Sequence, residues 1–217
     1  RGKVEAVVLA ALGQVMLDLG KMANDLILFT IPELGYFELP KELCTGSSMM
    51  PNKKNPDVLE LLRAKGKKVM AGYYQVMSII SDLPSGYNRD YQETKEPLIS
   101  GLETTGASLA VCLLVIKGLK VNKEKCIAAC VPEIFATDKA IELAAKGVPW
   151  REAYQKVAKE LDSLTSENPV ENIKKKKHLG ATGNLGLEKS VSKIKAEKAL
   201  ISKEKKQFEA AISKLMK

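Results

Sequence analysis

The sequence is poor in the residues that most often carry self-contained chemistry. It has one histidine and one tryptophan, and only 5% of its 217 residues are aromatic. A single histidine excludes a site built on paired imidazoles or on a multi-histidine metal centre. That residue, His178, follows four lysines beside a glycine-rich stretch, a setting for a surface or local structural role. The four cysteines, Cys44, Cys112, Cys126 and Cys130, contain no CxxC pair. Cys126 and Cys130 lie one helical turn apart but have no further ligands nearby in sequence. The expectation is therefore reduced, mostly buried thiols in a cytoplasmic protein, with no metal. No run of 18 apolar residues is free of charge, which argues against a membrane span. The opening, Arg1-Gly2-Lys3-Val4-Glu5, has neither Met nor a signal-peptide layout and reads as the interior of a longer chain.

What is present is aliphatic and basic. Hydrophobic residues make up 45% of the chain, ample for a core, and with so few aromatics that core must be packed by Leu, Ile, Val, Ala and Met. The formal charge of +8 is unevenly placed. Residues 170–217 hold 13 Lys and 5 Glu and carry all of it; the remainder balances to zero. A basic tail can serve as a nucleic-acid arm. Here Phe208 is its only aromatic residue, so nucleic acid is not expected and a solvated helix face is the simpler reading.

Strand signals are scarce and the fold class is all-α. Val8, Leu12, Val15, Leu19, Met22, Leu26 and Phe29 step by four and three, a seam lasting three heptads. They predict one helix over 3–30, ended by Ile31-Pro32 and Gly35. A second helix is expected from about Pro56 to Asp82, where Gly66 and Gly72 permit close approach of a neighbour. A third should span about 94–119, with its uncharged middle, Ala107–Ile116, buried on most sides. Shorter helices are expected at 123–130, from Thr137 to Lys146 and from Pro149 to about Leu164, then a basic helix over 187–215. The resulting division is a long-helix bundle over 1–121, incomplete by itself, a small helical domain over 122–186 and the basic helix 187–217.

Chemistry concentrates in two segments. The first is Gly46-Ser47-Ser48-Met49-Met50-Pro51-Asn52-Lys53-Lys54-Asn55-Pro56, a polar loop leading into a helix N-terminus. Such a loop is suited to a negatively charged substrate. A serine hydroxyl becomes a base only where backbone N–H groups and a cation stabilise its alkoxide in a closed site. Ser47 or Ser48 and Lys53 supply those types, and mobility is expected for 44–55 in the absence of ligand. The second segment is Tyr87-Asn88-Arg89-Asp90-Tyr91-Gln92-Glu93-Thr94-Lys95-Glu96, dense in hydrogen-bonding groups between two long helices.

The pattern G-S-S-x-M-P-x-K-x-N-P resembles the mobile-loop motif of the fumarase/aspartase/argininosuccinate lyase superfamily. The run from Tyr87 to Glu96, with Ala136-Thr137-Asp138 and Lys146–Ala153, is similar to its argininosuccinate lyase branch. The resemblance covers roughly residues 1–185, so that the chain looks like the C-terminal half of such an enzyme. It implies Ser47 as the base, Lys53 stabilising the aci-carboxylate, and Glu60 orienting a catalytic histidine. It further implies Asn55, Tyr87, Gln92 and Lys95 as contacts to the substrate. The implied reaction is reversible release of fumarate from argininosuccinate, leaving arginine, with no metal or organic cofactor. Implied too are a cytoplasmic homotetramer whose sites combine three subunits, and inactivity of this stretch alone, since the family's catalytic histidines precede it. Another lyase of the superfamily, such as adenylosuccinate lyase, or a crystallin-like structural homologue remains an alternative.

Overall fold

The computed structural model describes residues 1–46, 48–165 and 167–216, and these are overwhelmingly helical. Two compact units divide the chain, Arg1–Ala129 and Cys130–Lys217. The first holds α1 (Lys3–Thr30), β1 (Phe37–Glu38), α2 (Asp57–Ile80), α3 (Lys95–Gly118), β2 (Lys120–Val121) and α4 (Lys123–Ala128). The second holds α5 (Ala136–Ala145), α6 (Trp150–Lys159), α7 (Pro169–Lys175) and α8 (Leu187–Leu215).

The three long helices form the first unit. Leu9, Met16, Leu19, Ala23 and Leu26 of α1 are buried against Leu59, Leu62, Val69 and Val76 of α2, and Val115 of α3 joins them. The buried stripe of α1 runs through Ala6, Leu9, Gly13, Met16, Leu19, Ala23 and Leu26. It is therefore rotated from the expected seam, of which Leu19 and Leu26 alone lie in the core and Val15 is exposed. Small residues explain the rotation. A Cβ on Gly66 would lie 3.4 Å from the Met16 carbonyl oxygen, so α2 approaches the α1 backbone at a place where large side chains would hold it away.

The same rule governs α3 and corrects the expectation that its middle is buried on most sides. Its buried face is Pro97, Gly101, Thr105, Ser108 and Val115, mostly small residues. Leu109, Leu113, Leu114 and Ile116 instead face out of the unit, each about half exposed. The uncharged stretch thus carries two faces, one packed closely and one unpaired within this chain. By length and composition α1 and α3 also meet the requirement for crossing a membrane. In this fold both bury one face against α2, whose middle carries Arg63, Lys65, Lys67 and Lys68.

At one end of this unit, β1 and β2 pair antiparallel, Phe37 opposite Val121 and Glu38 opposite Lys120. Asn122 donates its N–H to the Tyr36 carbonyl at 2.9 Å and caps α4 by accepting from the Lys125 N–H at 3.1 Å. Lys125 Nζ reaches the Pro32 carbonyl at 3.3 Å. These bonds tie α4 to the first unit, so the division falls after Ala129, whereas the sequence reading puts it after Val121.

In the second unit Phe135, Ala140, Ala153 and Val157 make a small core. The α5 helix stops at Gly147, whose φ of 93° is in the left-handed region, with its N–H bonded to the Ala144 carbonyl at 2.9 Å. The α7 helix is absent from the sequence reading, although its start is a regular one. The Asn168 side chain accepts from the N–H groups of Val170 and Glu171, and Pro169 occupies the first turn. Its buried Asn172 donates to Asp138 at 2.8 Å, and Lys176 pairs with the same carboxylate at 3.0 Å. The α8 helix buries no residue.

Candidate functional site

The loop of the first segment is closed at its neck. Thr45 and Asn55 form an isolated antiparallel bridge, with N–H to carbonyl distances of 3.1 Å and 2.8 Å. The Thr45 hydroxyl donates to an Asp57 carboxylate oxygen, and Asn55 Nδ2 lies 3.5 Å from the Gly46 carbonyl. Asp57 opens α2, where a carboxylate is favoured by the helix dipole. Thr45 and Asp57 hold the loop neck together and were not singled out in the sequence reading. Their signal was available as a hydroxyl and a carboxylate flanking the motif at both sides.

Within the loop, Lys53 N–H bonds the Met50 carbonyl at 3.1 Å. The Lys53 side chain is exposed. Lys54 lies 3.7 Å from Glu38 on β1, an exposed ion pair of small energetic weight. A Cβ on Gly46 would meet nothing within 4 Å. Ser47, assigned as the base, lies outside the described residues.

Beside the loop is a cleft of about 830 Å³ at the end of α1 and the beginning of α2. Glu38, Cys44, Asn52, Lys54, Glu60 and Lys120 contribute to its walls. Glu60 stands in the first turn of α2 and is exposed. Burial pushes the Cys44 thiol up from its ordinary pKa; Lys54 opposes this, while Asp57 and Glu38 reinforce it. The thiol is thus held protonated next to the loop, which disfavours a nucleophilic role. The described residues include no cluster of His, Cys, Asp and Glu able to hold a metal.

The second segment follows α2. Arg89–Gln92 make one tight helical turn, and the buried Thr94 hydroxyl donates to the Tyr91 carbonyl at 2.9 Å. Asn88 Nδ2 donates to the Pro84 carbonyl at 2.9 Å, fixing the turn before it. Lys95 Nζ donates to Gln92 Oε1 at 2.6 Å, so these two expected substrate contacts are brought together. The exposed Tyr87 ring has the Arg1 guanidinium 4.9 Å from its centroid, a cation–π arrangement.

The two segments are not brought together. One precedes α2 and the other follows it, and 24 helical residues separate them. At 1.5 Å per residue that is about 36 Å. Asn55, Lys53 and Glu60 stand at one end of the bundle, and Tyr87, Gln92 and Lys95 at the other.

Comparison with known proteins gives the family of the chain. Residues 4–71 match the protein family described as Lyase. The argininosuccinate lyase of Sorangium cellulosum is 45% identical over 188 residues, which are 87% of this chain and 44% of that protein. That of Thermotoga neapolitana is 42% identical over 158 residues, 73% of this chain and 40% of that protein. The chain belongs to this lyase family. It spans less than half the length of the curated lyases it matches. Among solved structures, EDDS lyase in complex with formate aligns with a TM-score of 0.65 at 20% identity, covering 90% of this chain and 45% of that one. At that identity the likeness speaks for the lyase fold, a long-helix bundle followed by smaller helices.

Proposed function

We propose that the protein carrying this chain is an argininosuccinate lyase, cleaving argininosuccinate reversibly to fumarate and arginine in arginine biosynthesis in the cytoplasm. The observation that carries this reading is the loop 46–56, with its sealed neck, at the head of α2 in a chain more than 40% identical to argininosuccinate lyases.

In the proposed mechanism Ser47 removes a proton from the carbon beside a substrate carboxylate. The electron pair flows into that carboxylate, giving the aci form, and Lys53 offsets its second negative charge. The neighbouring carbon then loses the guanidinium nitrogen, and the double bond of fumarate forms. Asn55 offers its amide to the carboxylate, and Glu60 orients the imidazole that serves as general acid. Gln92, Lys95 and Tyr87 bind the remainder of the substrate. A lysine and an amide already bonded to each other form a ready-made pair for a carboxylate or an amino-acid end.

The 36 Å between the segments gives this proposal its quaternary form. One chain presents half of each of two sites, so a site is completed by other copies, in keeping with a homotetramer. The exposed apolar face of α3 is available for that contact. Alone, this stretch turns over no substrate.

The test is ultraviolet absorbance of fumarate formed from argininosuccinate and, separately, from adenylosuccinate. Turnover of argininosuccinate that is lost in Ser47→Ala, with substrate binding kept, is the expected result. Turnover of adenylosuccinate alone overturns the substrate assignment, and full activity of Ser47→Ala overturns the mechanism.

A further inference from the structure

Glu38 joins a strand anchored in the core to the polar loop of the first segment. Its neighbours on β1 and just beyond, Phe37 and Leu39, pack into the core of the long helices, so the alternation of an extended chain turns Glu38 outward. Pairing with β2 holds the strand from the other side. The carboxylate therefore stands on a fixed support, whereas its partner at 3.7 Å, Lys54 Nζ, belongs to the loop. A second lysine, Lys120, lies directly opposite Glu38 in the sheet, a position where opposite charges attract. Lys53, next to Lys54, is exposed and has no carboxylate partner among the described residues.

On the lyase reading of the loop, on which this inference rests, we propose that Glu38 is a positioning residue that acts through Lys54 on Lys53. Two adjacent lysines could both turn to an anionic substrate. Glu38 takes the charge of one and leaves the other whole for the carboxylate. It also completes the fixing of the backbone around Lys53. On one side the Lys53 N–H is bonded to the Met50 carbonyl at 3.1 Å, closing a turn. On the other, Asn55 is fixed by its bridge to Thr45. Lys54 is the link between them, and the ion pair restrains its freedom. The weakness of an exposed pair suits this role. A loop that closes over a substrate breaks and re-forms its contacts at every turnover, which a strong buried pair would resist. Lys120 eases release further, because Glu38 keeps a cation at hand when Lys54 moves away.

The experiment uses the full-length protein that carries this chain and follows fumarate release from argininosuccinate. Glu38→Gln should lower kcat about two- to fivefold, the reach of one exposed ion pair, with KM nearly unchanged, because the extra charge that Lys53 meets arises only in the transition state. Glu38→Asp keeps the charge and should keep most of kcat. Glu38→Lys combined with Lys54→Glu rebuilds the pair in reverse and should recover what either change loses alone. Melting temperature should be the same in all of them. The tether is also read without substrate: trypsin should cut after Lys53 about two- to fivefold faster in Glu38→Gln. A Glu38→Gln enzyme with wild-type kcat, or a reversed pair no better than its single variants, overturns the proposal. So does a loss of kcat that tracks a fall in melting temperature, the mark of a merely structural role. If the wild type releases no fumarate, the lyase reading fails instead, and an unchanged cleavage rate then overturns the tether by itself.

Discussion

If each site draws the 46–56 loop from one subunit and the 87–96 segment from another, two inactive variants should restore each other. Ser47→Ala removes the proposed base, and Lys95→Ala removes a substrate contact with its bond to Gln92. Each homogeneous enzyme carries a lesion in every site. In an equal mixture that is unfolded and reassembled, the loop at any site is intact in half of cases, and the far segment is independently intact in half. About one quarter of the sites should then be wild type, and about a quarter of wild-type turnover should return. The α2 helix dictates this figure, because about 36 Å of rigid helix prevents one chain from serving both roles in one site. Fumarate absorbance measures the recovery, and a different affinity tag on each variant verifies mixing. Mixed oligomers with no recovered activity would refute the shared-site argument, since a site served by one chain always keeps one lesion.

Other consequences can be tested on the chain directly. Leu9→Ala removes a fully buried side chain from between the long helices and should cost roughly 2–5 kcal/mol in urea unfolding; a loss under 1 would place the core elsewhere. Thr45→Val deletes the donor to Asp57 at the loop neck, so trypsin should cut after Lys53 and Lys54 severalfold faster, while an unchanged rate would deny the neck a role in holding the loop. Because burial raises the Cys44 pKa, less thiolate is present at any given pH, and alkylation should reach half its maximal rate at a higher pH than for free cysteine. A profile matching free cysteine would contradict the burial. Gly183→Ala should unsettle the second unit, because its Cβ would strike the carbonyl oxygens of Ile173 and Lys176; retained melting behaviour would show that the turn can move aside.

Helix boundaries were legible in the sequence because their signals are local. The α1 helix ends at Thr30, where the pattern places its end before Ile31-Pro32, and α2 ends at Ile80, two residues short of the expected Asp82 and ahead of Leu83-Pro84. Which face is buried was less legible. The seam through Val8, Leu12 and Val15 weighs side-chain size, whereas the packed stripe includes Ala6, Gly13 and Ala23, chosen by how closely α2 approaches. The α3 helix shows the same inversion, with Gly101 and Ser108 inside and Leu109 and Leu113 outside. The loop motif was legible as a run of residue types, and its neck between Thr45 and Asn55 was not. The Thr45–Asn55 bridge and the Lys54–Glu38 pair depend on chain segments meeting in space, which no spacing within the motif encodes.

The bridge between Thr45 and Asn55 separates two mechanical regimes. On the helix side α2 is held by packing against α1 and α3, whereas between the two residues the described contacts include the Lys53 N–H bond to the Met50 carbonyl and the Lys54–Glu38 ion pair. The loop can therefore change its length or composition without altering the register of α2. Doubling a flexible loop adds only about 0.6 kcal/mol of closure cost. Softness near the chemistry and rigidity in the scaffold become independent variables, joined at two residues. An engineer wishing to slow or hasten closure over a substrate could rewrite residues 48–52 while leaving the bundle unchanged.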